Sequence, residues 1–328
     1  MSDAVLVTGA AGFIGFHTAA RLLQQGRKVI GVDNINDYYD TKLKEDRLEQ
    51  LGNFPDFTFI KEDIANEEGV KKIWEEHGPF KEVIHLAAQA GVRYSLENPY
   101  AYIHSNCMGH VVILEMCRNT EGFKHLVYAS SSSVYGGNKK VPFSVDDPVN
   151  EPVSLYAATK RADELFSHTY SHLYGTSQTG LRFFTVYGPW GRPDMSPYIF
   201  TNAIDKGEKV PVFNNGDMKR DFTYIDDIVD GVLATLENPP EEENGKAPHR
   251  VLNIGNNHSE NLMDYIAVIE KTLDKKADID FKPMQPGDVY ETYADVSETT
   301  RLTGYKPKTT IEEGVPKYVS WFKSYYAA

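Results

Sequence analysis

The chain has 328 residues, 41% hydrophobic and 25% charged, enough for one large globular domain or two unequal ones. Its net charge of −13 opposes binding to nucleic acid or to an anionic membrane surface, so an anionic ligand needs a local cluster of positive charge. No apolar run approaches the roughly 18 residues of a membrane span, and Met1-Ser2-Asp3 runs straight into the first apolar segment with no room for a leader peptide. Cys107 and Cys117 share one helical segment without metal-ligand spacing; they read as buried small hydrophobes and fit a reducing cytoplasm.

Apolar runs recur at 4–8, 28–33, 57–62, 82–88, 125–131 and 179–186, with helical patterns between most of them. That spacing predicts an α/β fold with a doubly wound parallel sheet. The first run, Val5-Leu6-Val7-Thr8, enters Gly9-Ala10-Ala11-Gly12-Phe13-Ile14-Gly15 and then an amphipathic helix through Leu23. Gly9 permits a tight turn, Gly12 lets backbone approach a pyrophosphate, and Gly15 lets the helix pack close to the strand with its first N–H groups facing the phosphates. The second run ends in Asp33, about twenty residues on. A carboxylate there accepts from the adenosine ribose hydroxyls and repels a 2′-phosphate, which favours NAD over NADP. The fourth run ends His85-Leu86-Ala87-Ala88, whose small residues let a cofactor lie against the strand end.

The fifth run ends in four serines, Ser130-Ser131-Ser132-Ser133, before Val134-Tyr135-Gly136, and Tyr156 and Lys160 follow at i and i+4 on one helix face. A hydroxyl, a phenol and an ammonium are thereby available at one site. A phenol has a reference pKa near 10, but an adjacent ammonium and a cationic ring favour the phenolate and make Tyr156 a general base. Beyond Gly188 the pattern breaks into short Pro- and Gly-rich elements, predicting a smaller C-terminal α/β lobe. Residues 1–187 form the dinucleotide-binding domain, helix 223–237 and strand 251–254 return to it within 221–258, and 188–220 with 259–328 form the second lobe. Pro239-Pro240-Glu241-Glu242-Glu243-Asn244-Gly245 is a solvated loop.

Gly9/Gly12/Gly15, Asp33, the serine run with Val134-Tyr135-Gly136, Tyr156-Ala157-Ala158-Thr159-Lys160 and Arg182-Phe183-Phe184-Thr185-Val186-Tyr187-Gly188-Pro189 resemble the extended short-chain dehydrogenases that act on nucleotide sugars. The resemblance covers nearly the whole chain. Within that superfamily, Asn36-Asp37-Tyr38-Tyr39-Asp40, Ala90-Gly91-Val92-Arg93-Tyr94-Ser95 and Gly188-Pro189-Trp190-Gly191-Arg192-Pro193-Asp194-Met195 most resemble UDP-glucuronate 4-epimerases. It implies a Rossmann sheet, tightly held NAD and a UDP-sugar substrate. Tyr156 takes the proton of the 4-hydroxyl, Lys160 supports it, and Ser131 holds the same oxygen while C4 is oxidised and then reduced on its other face. The resemblance extends the cofactor set to Phe13, Ile14, Asn34, Asp63, Ile64 and Asn106. Its substrate set is Arg93, Ser131, Ser132, Ser133, Thr185, Arg192, the uracil-packing Phe213, the pyrophosphate cation Arg220 and the ribose acceptor Asp288.

The positions before Val134 discriminate among reactions of the 4-ketone. Related dehydratases resemble Asp-Glu there, and related UDP-glucuronate decarboxylases carry Glu directly before Val-Tyr-Gly; this chain has Ser132 and Ser133. Thr185 stands where relatives that use neutral sugars resemble Asn, and Arg192 offers a bidentate fork for carboxylate or phosphate. Neutral-sugar 4-epimerisation and decarboxylation remain the alternatives, and a non-catalytic NAD-binding regulator is the alternative from another class. His168 and His172, spaced i and i+4 without the glutamate of HExxH, read as helix surface or subunit contact, so no metal is expected. The resemblance also implies a homodimer formed by helices near 97–118 and 154–174.

Overall fold

The computed structural model describes residues 4–285 and 288–326. The expectation at Met1-Ser2-Asp3 and the turn at Pro286-Gly287 lie outside the described residues. Thirteen strands follow in chain order among them: β1 Val5–Thr8, β2 Val29–Asp33, β3 Phe57–Lys61, β4 Glu82–His85, β5 His125–Ser131, β6 Gln178–Phe183, β7 Thr185–Tyr187, β8 Lys209–Val212, β9 Lys219–Arg220, β10 Phe222–Tyr224, β11 His249–Ile254, β12 Glu260–Asn261 and β13 Asp278–Phe281.

Seven of these form one sheet in the order β11-β6-β5-β4-β1-β2-β3. Every pair in it is parallel. Both faces of its centre are covered, so β1 and β2 are apolar at successive positions instead of alternating. Val5, Val7, Ile84, Val127 and Leu181 bury themselves on one side; Leu6, Ile30, Val32, Val83 and Leu126 bury themselves on the other. Helices Phe13–Gln24 and Ile225–Leu236 cover the first face, and Glu67–His77 and Gly109–Arg118 the second. The sheet order reverses between β1 and β4, and a crevice opens at the carboxyl ends of such a pair.

The run 179–186 does not form one strand. Phe184 donates its backbone N–H to Ile254 at 3.2 Å, and beyond it Thr185–Tyr187 leaves the large sheet to pair in parallel with Phe222–Tyr224. The helix expected at 223–237 accordingly starts at Ile225 and ends at Leu236, because Thr223 and Tyr224 are spent in β10. His249–Ile254 pairs along its length with Gln178–Phe183. The fourth strand stops at His85, not residue 88.

Two small pairings, β8 with β13 and β9 with β12, build the remainder beside helices Ser196–Lys206, Leu262–Leu273 and Ile311–Tyr326. The segment expected as one helix near 97–118 is broken. Asn98 caps a short helix that opens at Pro99, a π turn spans Ile103–Met108, and the α-helix proper is Gly109–Arg118. Cys107 sits in the π turn and is only partly buried, unlike Cys117.

Candidate active site

The glycine turn is sterically dictated. Gly9 has φ +74°, and a Cβ on it would lie 2.7 Å from the Ala87 nitrogen. A Cβ on Gly15 would lie 2.0 Å from the Gly9 carbonyl oxygen, whereas one on Gly12 would approach that oxygen only to 3.0 Å. Gly12 is the N-cap of helix Phe13–Gln24, and no side chain caps it. The first-turn N–H groups of Phe13, Ile14 and Gly15 therefore lack helical acceptors at the wall of a cleft of about 340 Å³.

Asp33 ends β2 on that wall. Its carboxylate accepts from the backbone N–H groups of Ala11 at 3.2 Å and Ile35 at 2.8 Å. Burial pushes its pKa up, against the pull of these N–H groups and of Lys44. Asn34, Ile64, Leu86, Ala87 and Ala88 line the same cleft. Asp63 sits behind Asn34, accepting from its amide at 3.2 Å, and lies 3.4 Å from His104. Asn106, expected on the nicotinamide side, has its side chain turned into the protein. It is 1% exposed, its carbonyl accepts from the Gln89 N–H, and its amide hydrogens go to the Gln89 carbonyl and the Thr159 hydroxyl. It braces the wall from behind.

The serines end β5 and turn into a short 3-10 helix, Ser132–Tyr135. Ser131 caps it, accepting from the Ser133 N–H at 3.2 Å. Opposite stands helix Leu155–Tyr174, started by the Ser154 cap on Ala157. Tyr156 meets the Tyr102 ring edge-on at 6.0 Å. Lys160 is 4% exposed, and its ammonium donates to the Ala129 carbonyl at 3.0 Å and to Asp163 at 3.1 Å. Ser131, Ser132, Ser133, Tyr156, Lys160, Thr185 and Arg192 all line the cleft.

Beneath the serines lies a buried ionic network. Glu164 accepts from Ser130 at 2.6 Å, from Arg182 at 2.8 and 2.9 Å and from Arg161 at 2.9 Å. Burial pushes its carboxyl up, but these donors outweigh burial and hold it below its ordinary range. The depressed pKa means a stability contribution present above the unfolded carboxyl's value and lost as pH falls through the folded one. Glu164→Ala strands the buried Arg182 and should cost about 3–5 kcal/mol. Urea unfolding checks this, with the gap between the two proteins narrowing as pH falls toward 3. An unchanged midpoint at neutral pH would refute it.

Arg192 is clamped. Its guanidinium bonds both oxygens of Asp194, at 3.0 and 2.5 Å, and the Tyr38 hydroxyl donates to the same carboxylate at 3.0 Å. Four expected substrate residues stand apart from this wall as two pairs. The Arg93 guanidinium lies 5.1 Å over the Phe213 ring, and Arg220 pairs with Asp288 at 2.8 Å. The sequence reading missed Asn36, Tyr38, Tyr39, Lys44, Glu62, Gln89 and Met195 on the wall. The Asn36–Asp40 motif was the signal for Asn36, Tyr38 and Tyr39, and the Gly188–Met195 motif for Met195, but neither marks a periodicity. His168 and His172 are exposed, and no group of His, Cys, Asp or Glu among the described residues could hold a metal.

A parallel sheet with a glycine turn whose first and last glycines admit no Cβ, an acid at the end of β2 and a Tyr-Lys pair facing hydroxyls fits NAD and defines a nucleotide-dependent oxidoreductase-type site. Residues 5–255 match the NAD dependent epimerase/dehydratase family, and the chain belongs to it. It is 48% identical to UDP-glucuronate 4-epimerase 2 of Arabidopsis thaliana, over 98% of this chain and 76% of that one. The structure of UDP-glucuronic acid 4-epimerase from Bacillus cereus, in complex with UDP-glucuronic acid and NAD, superposes with TM-score 0.89 at 32% identity, covering 98% and 99% of the two chains. UDP-glucose 4-epimerase from Thermotoga maritima superposes with TM-score 0.86 at 30% identity over 98% and 99%.

Proposed function

We propose that this protein interconverts UDP-glucuronate and UDP-galacturonate by inversion at C4. NAD, when bound, supplies the acceptor and then the donor of the C4 hydride. Tyr156 takes the proton of the 4-hydroxyl and returns it to the 4-keto oxygen, Lys160 supports the phenolate from one turn away, and Ser131 donates to the same oxygen. Asp33 holds the adenosine ribose, with Asn34, Asp63 and Ile64 around the adenine, and Arg220 with Asp288 meets the diphosphate and uridine. Residues 188–220 and 259–328 form the lobe that holds UDP.

The observation that carries this reading is the wall chemistry. Its carboxylates among the described residues are Asp33 and Glu62, both at the β2–β3 end, while Ser131, Ser132, Ser133, Thr185 and Arg192 lie with Tyr156 on the same cleft. Elimination lacks its base there. A 4-ketohexuronate is a β-keto acid and loses carbon dioxide most readily in an apolar pocket; hydroxyl and guanidinium donors on its carboxylate oppose that loss. The Thermotoga maritima likeness makes neutral UDP-sugars the competing substrates.

Purified protein given UDP-glucuronate without added NAD should yield UDP-galacturonate by NMR, with NAD found by absorbance and mass spectrometry. UDP-xylose or its 4-keto precursor as product would establish decarboxylation instead. Activity on UDP-glucose alone would sink the uronate assignment, and no turnover would favour the regulator.

The chain further fits a homodimer. Leu96, Tyr100, Ile103, Met108, Leu165 and Leu173 are exposed on the 94–118 and 155–174 segments, with Tyr100 at 84%. No helix among the described residues is long and apolar enough to cross a membrane, and both cysteines are free, which suits a cytoplasmic setting.

A further inference from the structure

Asp163 has no part in the chemistry above, yet it holds one of the three ammonium hydrogens of Lys160. It is 1% exposed, and its second oxygen, Oδ1, is buried without a hydrogen-bond partner. We propose that Asp163 is a positioning residue that aims the Lys160 ammonium and, by its charge, offsets the field Lys160 exerts on Tyr156. This rests on the assignment of Tyr156 as general base.

The groups around Asp163 leave Lys160 as its partner. On its own helix, Glu164 is satisfied by Arg182, Arg161 and Ser130. From Gly109–Arg118, the His110 ring bonds the Ser167 hydroxyl at 2.8 Å, and His85 on β4 stacks on His110 at 5.3 Å. Burial holds both imidazoles neutral at ordinary pH, His85 at about 3. Cys107 on the π turn is a thiol pushed up by burial to about 11, and burial keeps the Tyr128 phenol on β5 protonated. A buried carboxylate beside an ammonium cancels part of the ammonium's charge at the phenol one turn away. Burial raises Asp163 to about 6, against the opposing pull of Lys160, so the offset is present at neutral pH and fades in acid.

The test is the pH profile of kcat for UDP-glucuronate turnover in wild type, Asp163→Asn, Asp163→Leu and Asp163→Glu. Tyr156 ionisation is followed in parallel by ultraviolet difference against Tyr156→Phe. Both neutral variants should bring the acid limb and the phenol titration down by about one pH unit, with the rates converging with wild type below about pH 5, and Asp163→Glu should keep the wild-type profile. Superimposable profiles, with only thermal stability lowered, overturn the proposal. If neither neutral variant folds, Asp163→Ser, smaller and still able to meet the Lys160 ammonium with a hydroxyl, carries the same expectation, and profiles superimposable on wild type overturn it. Failure of wild type to turn over UDP-glucuronate would refute the proposed function, whereas the difference titration still reads the Asp163 offset.

Discussion

Tyr156→Phe should abolish turnover of UDP-glucuronate, by about a thousandfold or more, while NAD stays bound. The ring is kept, so the edge-on contact with Tyr102 at 6.0 Å and the Ser154 cap that starts the helix are untouched. Only the hydroxyl leaves, and with it the acceptor for the 4-hydroxyl proton. Unfolding should therefore shift by no more than about 0.5 kcal/mol. The measurements are the NMR-detected rate, the ratio of bound NAD to protein by absorbance and mass spectrometry, and a melting curve. Near-full activity would mean that another group takes the proton.

Gly15→Ala should strip the protein of NAD and destabilise it by about 3 kcal/mol, because the new methyl would sit 2.0 Å from the Gly9 carbonyl oxygen and 2.7 Å from its carbon. These are backbone atoms, and Gly9 itself is wedged against Leu86 and Ala87, so the turn cannot retreat without disturbing the end of β4. Gly12→Ala is the contrasting variant. Its methyl meets the same oxygen at 3.0 Å, so it should fold nearly as well as wild type and lose NAD affinity alone. Chemical denaturation and cofactor retention after gel filtration separate the two. Equal effects from both substitutions would show that the close approach of helix and turn is not what Gly15 provides.

The large sheet was legible because its inner strands are buried on both faces and several read as continuous apolar runs, Val5–Thr8 and Val29–Asp33 being the plainest, whereas the edge strand Phe57–Lys61 is only partly buried. The run 179–186 was misread as one strand for the same reason: burial continues through Phe184 into Val186, and nothing in hydrophobicity marks where a chain leaves one sheet for another. The glycine turn, Asp33, the serines, Tyr156, Lys160, Thr185 and Arg192 were each found by spacing or resemblance, and they meet at one cleft. The side-chain bonds of Asn106 to Gln89 and Thr159 were not legible, because an amide that braces neighbouring segments looks, in one dimension, like one that faces a ligand.

What the chain's order of residues determines by itself is local. It sets the strand-turn-helix at Gly9 through Gly15, the i and i+4 alignment of Tyr156 with Lys160, and the absence of a carboxylate at Ser132 and Ser133. Tertiary structure alone decided who partners whom across long separations. Tyr38 reaches Asp194, Arg220 reaches Asp288, Arg93 lies over Phe213, and Arg182 comes from β6 to the helix residue Glu164. Such pairs depend on which elements the chain brings side by side, and no local pattern records that. Burial then removes competing water and lets a charge that would be unremarkable on a surface, such as Asp163 beside Lys160, act on a neighbouring phenol.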